Sequence, residues 1–507
     1  MQFIVRLAPE ISIKSSPVRR RLTSVLRLNV VNAARRRGLC VQVQAQWDKL
    51  LVRAKLQDNT ACADTAALEH ELCGLLECTP GIHSFMLARP TPLTDFAGMY
   101  AAAAPVYAPQ VSGHSFAVRV RRRGSHSFRA RDVECALGEM FLRDCPGSRV
   151  DLAAPEVTVR VEIDAGQVYV VSCPRPGLGG FPLSTQGQVL ALVSGGFDSA
   201  VAAFRALRRG LVVHYLFFSL GGSAHEHGVM QACLQLWRRY GASHRVRFVS
   251  VPFEQAAAQI VERTHHGVRG VLLKRLMLRV AGELALRHGL QAVVTGESVG
   301  QVSSQTLVNL SHIDQACPVL VLRPLSCCDK QEIIDEAERI GTAELARAMP
   351  EYCAVISDHP NVCPRRTQVE EQEALLDPEL PERLLAQARV LDIRSLEECV
   401  QQHTEVEVVA APGPDETVID IRSPEEARSA PLTLECLKLP FYRLLGEFAA
   451  LDPARTYVLY CAQGVMSRLQ AQQLREHGYV NVKVLELPDA VRCRRHAPPR
   501  PDAVSAP

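Results

Sequence analysis

The sequence predicts a multidomain protein of mixed α/β and α+β class, with a parallel α/β core flanked by smaller units. Three observations lead there. The chain has 507 residues, enough for three or four domains that each bury a core. From residue 183 to 390, apolar strand-like runs alternate with helical patterns, as a parallel sheet with crossover helices requires, and residues 415–490 alternate again. Ahead of both, residues 1–175 read as two α+β units.

Composition excludes several classes. A hydrophobic fraction of 47% with 22% charged residues describes an ordinary globular chain. No apolar run approaches the roughly 18 residues of a membrane helix. Arg6, Glu10 and Lys14 interrupt the N-terminal apolar pattern, so no signal peptide is read there. The expectation is a cytoplasmic protein with no membrane partner. A net charge of +3 is too small to imply nucleic acid by itself. Seventeen cysteines, an odd number without repeating spacing or paired Cys-x-x-Cys motifs, argue against a disulfide framework and a structural zinc site. His265-His266 and Cys327-Cys328 carry no metal spacing, so no metal ligands are expected among the side chains.

In the first unit, residues 1–57, strand Phe3–Leu7 precedes a helix with Val18, Leu22, Val25 and Asn29 on one stripe. Strands around Val41–Gln44 and Leu50–Arg53 follow. Arg19, Arg20, Arg21 and Arg27 lie largely off the stripe, as either a solvated face or an RNA footprint. The second unit, residues 58–175, carries Phe116-Ala117-Val118-Arg119-Val120-Arg121-Arg122-Arg123-Gly124, where apolar and basic residues alternate into a basic turn. Arg119, Arg121, Arg122 and Arg123 can neutralise phosphates, with Phe128 available to stack; the competing reading is a charged edge strand that resists aggregation. Gly177–Pro182 forms a flexible join.

The third unit, residues 176–390, is organised around Val189-Leu190-Ala191-Leu192-Val193-Ser194-Gly195-Gly196-Phe197-Asp198-Ser199. Five apolar residues read as a buried strand, and the run after Ser199 reads as a helix ending near Gly210. Between them Gly195 and Gly196 let backbone amides approach a ligand, while Ser194 and Ser199 add hydroxyls. The helix N-terminus adds positive potential, so the turn suits a phosphate. The spacing and lysine of a Walker loop are missing. SGGxDS after a strand resembles instead the pyrophosphate loop of enzymes that transfer AMP from ATP. Asp198 would repel phosphate unless it holds Mg²⁺ or orients a loop amide, which makes it a functional candidate. Ligands gather beyond the carboxyl ends of parallel strands, which places Phe217-Phe218 and Thr295-Gly296-Glu297 around the same crevice. Lys274 either reaches a phosphate from its helix or is solvated, and Ser303-Ser304-Gln305 offers further polar groups.

A linker at 391–412 leads to the fourth unit, residues 413–490, and the Pro- and Arg-rich tail 491–507 is expected to be disordered. Cys461 ends a strand and opens Cys461–Ser467, after which Arg468 to Gly478 reads as a helix. A thiolate or persulfide cupped by amides at a helix N-terminus is stabilised. Rhodanese domains and cysteine phosphatases both use this arrangement. A phosphatase needs an arginine where Ser467 stands, with Arg468 one residue too late, and Asp420-Ile421-Arg422 also favours rhodanese. Cys353, in Pro350-Glu351-Tyr352-Cys353, is unremarkable by itself.

Taken together, the chain from residue 1 to about 488 closely resembles the tRNA 4-thiouridine synthases in their longer form with a C-terminal rhodanese domain. The motifs are Pro-Glu-Ile-Ser-Ile-Lys (9–14), Arg-Val-Arg-Arg-Arg-Gly (119–124), Ser-Gly-Gly-Phe-Asp-Ser (194–199), Gly-Gln-Val-Ser-Ser-Gln-Thr-Leu (300–307), Pro-Glu-Tyr-Cys (350–353) and Cys461 to Ser467. The resemblance implies a ferredoxin-like N-terminal domain, a THUMP RNA-binding domain, a pyrophosphate-loop domain and a rhodanese domain. It implies ATP and Mg²⁺ as cofactors, with ATP contacts at Leu192, Val193, Ser194, Gly195, Gly196, Ser199, Phe217, Phe218, Lys274, Gly296 and Gln305. It raises Cys353 to a catalytic role beside Cys461 and Asp198, with a Cys353–Cys461 disulfide during turnover. The implied product is 4-thiouridine at position eight of tRNA, with a cysteine desulfurase as sulfur donor and a sulfur-carrier protein of thiamine synthesis as a second acceptor. A homodimer is compatible with the sequence. The alternatives are a non-catalytic sulfur carrier and an amide-forming ligase of the same loop superfamily.

Overall fold

The computed structural model describes residues 1–54, 62–164, 166–219, 222–349, 360–397, 406–422, 427–428, 431–432, 434–461 and 465–486. The chain divides into two compact units. The first holds Met1–Gly187 with Arg205–Val212 and Arg238–Arg245, and the second holds the remainder.

The first unit is built on one sheet. Its elements are β1 (Gln2–Leu7), helix α1 (Ser16–Arg36), β2 (Val41–Ala45), β3 (Lys49–Ala54), α2 (Cys62–Glu77) and β4 (Ile82–Pro92). There follow α3 (Phe96–Val111), β5 (Ser115–Arg122), α4 (Ala130–Asp144), β6 (Arg149–Val150), β7 (Val157–Asp164), β8 (Gln167–Val171) and β9 (Arg175–Pro176). Among the described residues the strand order is β2-β3-β1-β4-β8-β7-β5-β6, with β9 beside β4. The first six elements form the βαββαβ pattern of a ferredoxin-like fold. That pattern closes only at β4, beyond the boundary expected at residue 57. The sequence hides the border because β4 serves both halves: its first part pairs with β1 (Phe3 opposite Leu87) and its second with β8 (Ala88 opposite Val171). Each half has its own core, one around Phe3, Leu26, Leu76 and Phe85, the other around Tyr107, Phe116, Leu137 and Phe141.

Helix α1 is rotated from the expected stripe. Leu22, Leu26, Asn29 and Val30 are buried, whereas Val18, in the first turn behind Pro17, is 37% exposed and Val25 is half-buried.

In the second unit the central sheet comprises β10 (Gln188–Leu192), β11 (Val212–Ser219), β12 (Arg247–Pro252), β13 (Ala292–Val294), β14 (Leu320–Leu322) and β15 (Arg389–Asp392). Among the described residues their order is β14-β13-β10-β11-β12-β15, parallel at β10–β13, β11–β12 and β13–β14 and antiparallel at the β12–β15 edge. The chain steps outward from β10 through β11 to β12, then returns to the other side of β10 for β13. The carboxyl ends of β10 and β13 therefore flank the point where strand order reverses. All eight residues of β11 are buried, as expected for a parallel strand covered on both faces. The helices used below are α5 (Phe197–Arg208), α6 (Gly222–Leu236), α7 (Arg269–Arg287), α8 (Leu307–Asp314), α9 (Lys330–Ile340) and α10 (Leu380–Ala386). Leu380, Leu384 and Leu385 of α10 pack into the central core.

A third sheet, also in the second unit, has the order β16 (Val408–Val409), β20 (Val482–Leu485), β19 (Thr456–Tyr460), β17 (Glu416–Asp420) and β18 (Cys436–Lys438), parallel throughout. Helices α11 (Phe441–Phe448) and α12 (Val465–Glu476) accompany it. Leu444, Phe448, Leu459 and Leu474 lie in its core.

The rotated stripe of α1 gives a direct check. Leu26→Ala should cost about 2–5 kcal/mol of stability, the usual range for emptying a buried leucine site. Val18→Ala should stay within about 0.5 kcal/mol. Urea unfolding followed by circular dichroism separates the two.

Candidate active site

The glycine loop sits at the topological switch point. β10 ends at Leu192, and the Val193 N–H donates to the Leu216 carbonyl of β11 (2.8 Å), which fixes where the loop leaves the sheet. Gly195 has φ +85°, open to glycine and strained for other residues. A Cβ there would also meet the Met349 sulfur at 2.7 Å. The two serines close the loop on itself: the Ser194 N–H donates to Ser199 Oγ (3.2 Å), and the Ser199 hydroxyl donates to the Gly196 carbonyl (3.2 Å). Ser194 itself is exposed and Ser199 buried. From α6, His225 donates its Nε2–H to the Ser194 carbonyl (2.8 Å) and sets its ring edge-on to Phe217. Burial holds the His225 pKa below its ordinary value, which keeps the ring neutral at neutral pH and the loop carbonyl engaged.

Across the switch point, Gly296 at the end of β13 abuts the start of α5. A Cβ on Gly296 would lie 2.6 Å from the Asp198 carbonyl carbon, so two backbones touch where no side chain fits. The Asp198 carboxylate does not bond a loop amide. It receives Lys330 Nζ from the first turn of α9 (2.8 and 3.1 Å) and Gln301 Nε2 (2.9 Å). Sequence reasoning missed Lys330, 132 positions away and unremarkable in its surroundings. Gln301 lay inside the 300–307 motif without being singled out, and His225 had no local signal either.

Lys274, on α7, is ion-paired rather than simply solvated. Its Nζ lies 2.9 Å from Glu297 Oε1, while Arg323 Nε donates to Glu297 Oε2 (2.8 Å) and the Thr295 hydroxyl donates to the same oxygen (3.1 Å). Arg323 Nη2 reaches on to Asp314 (2.6 Å). Burial would raise the Glu297 carboxyl, but Lys274 and Arg323 outweigh it and hold the pKa below the ordinary carboxylate value. Phe217, Phe218 and Val193 are buried and Leu192 is half-buried. Gln305 is 8% exposed, and among the described residues its Oε1 meets no donor. A buried acceptor of that kind suits a ligand N–H.

Cys461 follows β19 and is 8% exposed. Its Sγ accepts the Ser467 N–H (3.3 Å) from the first turn of α12 and lies 3.4 Å from Ser467 Oγ. Arg468 pairs with Glu486 (2.6 Å). Asp420 and Arg422 form a buried ion pair (2.7 Å), with the guanidinium 5.0 Å from the Tyr460 ring. Helix α12 packs against α6, the helix whose His225 holds the glycine loop. Cys353 lies outside the described residues, as do Ala462-Gln463-Gly464 and the 491–507 tail. Met349, the last described residue before the Cys353 segment, rests on Gly195.

In the first unit, Arg119, Arg121 and Arg123 lie on the exposed face of β5 and its turn. Arg119 donates to the Leu152 carbonyl (2.7 Å), while Arg121 and Arg123 reach Asp48 (3.4 and 2.8 Å). Arg122 alternates to the other face and braces the turn through the Phe128 and His126 carbonyls (2.5 and 3.3 Å). Phe128 is half-buried, stacked on His126 and edge-on to Phe96, so it is packed rather than open to a base.

Comparison with known proteins decides the family. Residues 184–377 match the family model described as thiamine biosynthesis protein (ThiI), residues 94–172 the THUMP domain and residues 381–487 the rhodanese-like domain. Proteins named tRNA sulfurtransferase from Tolumonas auensis and Shewanella sp. (strain MR-4) are 44% and 46% identical over 96% of this chain and 99% of their own. The chain belongs to the tRNA sulfurtransferase family. As a tRNA sulfurtransferase it is an enzyme, and the rhodanese match removes the phosphatase reading of Cys461. Among solved structures, a 4-thiouridine synthetase–RNA complex with bound ATP is 25% identical with a TM-score of 0.66, over 77% of this chain and 99% of that one. Among the described residues no helix is long and apolar enough to cross a membrane.

Two outcomes follow for the sulfurtransferase loop. Gly296→Ala forces a methyl group against Asp198 and should cost about 1–3 kcal/mol by overpacking, read as a lower thermal midpoint. Because the folded Glu297 pKa is depressed, its stabilisation is full above about pH 4.5 and is lost as pH falls through the folded value. The stability gap between wild type and Glu297→Gln is therefore widest at neutral pH and narrows on acidification, as thermal melts from pH 7 downward will register.

Proposed function

We propose that this sulfurtransferase makes 4-thiouridine at position eight of tRNA, using ATP to activate the uracil and a persulfide on Cys461 to replace its oxygen. One observation carries the reading. The glycine loop, the ion-paired Lys274 and Lys330 and the helix that follows Cys461 belong to one unit, and α6 both hydrogen-bonds the loop through His225 and packs against α12.

The residues at the loop fit a nucleotide triphosphate. Gly195, Gly196 and the α5 N-terminus offer backbone donors, and Ser194 offers an exposed hydroxyl. Gln305 offers a buried acceptor without a donor, suited to an amino group of a base. Lys274 and Lys330 stand beside the loop as cations whose present partners, Glu297 and Asp198, phosphate oxygens can replace. Among the described residues no set of three acidic, His or Cys side chains gathers as a metal site. The Asp198 carboxylate beside the loop would hold a Mg²⁺ arriving with the nucleotide, which would supply charge neutralisation there.

A uracil carbonyl oxygen leaves poorly, and AMP transfer to the C4 oxygen converts it into a good leaving group. The chain's own part is to hold pyrophosphate in the loop and to place cations on the charge that develops. Cys461 takes sulfur from a cysteine desulfurase as a persulfide, and the Ser467 N–H at the α12 terminus stabilises the Sγ thiolate that accepts it. The Cys353 thiolate attacks the inner sulfur, the outer sulfur bonds to C4 and AMP departs. A Cys353–Cys461 disulfide remains, which a dithiol reductant resets. The same persulfide serves a sulfur-carrier protein for the thiazole of thiamine, and the setting is the cytoplasm.

The test is thiolation of unmodified tRNA with ATP and a sulfur donor. Asp198→Ala and Lys330→Ala should each lower tRNA-dependent pyrophosphate release by about 100-fold or more. Cys461→Ser should release pyrophosphate yet transfer no sulfur, and Cys353→Ser should fail at repeated turnover. Wild-type rates in Cys353→Ser would end the resolving role, and a chain that releases no pyrophosphate with tRNA would be a sulfur carrier only.

A further inference from the structure

The tip of the β2–β3 hairpin, Gln46-Trp47-Asp48, joins two sets of arginines that lie far apart in sequence. On one side the Arg19 guanidinium, from the first turn of α1, lies 3.5 Å from the Trp47 ring centroid. On the other, Asp48 pairs with Arg123 (2.8 Å), Arg121 (3.4 Å) and Arg6 (3.6 Å). Trp47 remains 44% exposed, although an indole buries more apolar area than almost any other side chain. Arg121 and Arg123 keep 63% and 45% of their side chains exposed. Helix α1 adds Arg20, Arg21, Arg27, Arg35 and Arg36 to Arg19 without one acidic residue.

From this arrangement we propose that the hairpin tip is an RNA contact: the open face of Trp47 receives an unpaired base of the tRNA, while Arg121 and Arg123, aligned by Asp48, hold neighbouring phosphates. An aromatic ring set among cations selects a polyanion that presents flat π faces, which describes single-stranded nucleic acid. A protein partner would want a contiguous apolar patch, and here the ring stands among guanidiniums. Arg19 fixes the indole in place before binding, so less side-chain freedom is lost when a base stacks. Asp48 does the same for the two arginines and is a positioning residue. The inference rests on the tRNA reading above and names where that tRNA touches.

The chain has two tryptophans, and the other, Trp237, is 4% exposed, so a change in emission caused by direct contact with a ligand is assigned to Trp47. Full-length protein is titrated with unmodified tRNA at several salt concentrations, following emission and filter retention together. Binding should quench the emission, and Trp47→Phe should remove the quench while keeping affinity within about threefold. Trp47→Ala should weaken binding about 5- to 100-fold with the salt slope unchanged, because stacking releases no counterions. Arg121→Ala with Arg123→Ala should instead flatten the slope by about 1 to 2. Circular dichroism of Trp47→Ala checks that the fold persists, and the Phe variant decides the matter if it does not. Wild-type affinity in Trp47→Ala, or unchanged Trp47 emission at saturation, overturns the inference and leaves the tRNA reading standing. A wild-type chain that binds no tRNA overturns both.

Discussion

Two backbones meeting without a side chain between them set the geometry of the catalytic half. At the end of β13, Gly296 touches the carbonyl of Asp198, and nothing larger fits. That contact brings the carboxyl end of β13 against the start of α5 at the place where strand order reverses. Thr295 and Glu297 flank the touching residue in sequence, so their polar groups stay beside the loop once it forms. Glu297 then gathers Lys274 and Arg323, and Asp198 gathers Lys330 and Gln301, each network registered to the same point.

Charge at the loop is paired rather than free. Taking an isolated carboxylate or ammonium out of water costs several kcal/mol, so a buried Glu297 is tolerable only between two cations. The pairing leaves the site close to neutral, with Lys274 and Arg323 on Glu297, Arg323 also on Asp314, and Lys330 on Asp198.

The first unit handles charge in the opposite way. Arg121 and Arg123 share one carboxylate, Asp48, so the exposed face of β5 keeps a surplus of positive charge. Arg122 belongs to the fold rather than the face, because strand alternation turns it toward the Phe128 carbonyl. A run of four basic residues thus contains two kinds of arginine, and only the period of the strand tells them apart.

The residues by themselves determined the class of each unit, the strand–glycine–helix turn at 189–204 and the rhodanese character of the Cys461 loop, while the family came from the resemblance carried by the ordered motifs. Each of these depends on local pattern: apolar period, glycine where φ is positive, a thiol at a helix start. What only tertiary structure decided is who partners whom. Lys330 for Asp198, Arg323 for Glu297, His225 for the Ser194 carbonyl and Asp48 for Arg123 join positions 26 to 132 residues apart. The end of the ferredoxin-like unit at β4 is of the same kind, since one strand serves two halves of a sheet. Side-chain pairing across such separations depends on how strands are ordered and where helices cross, and no periodicity along the chain encodes that.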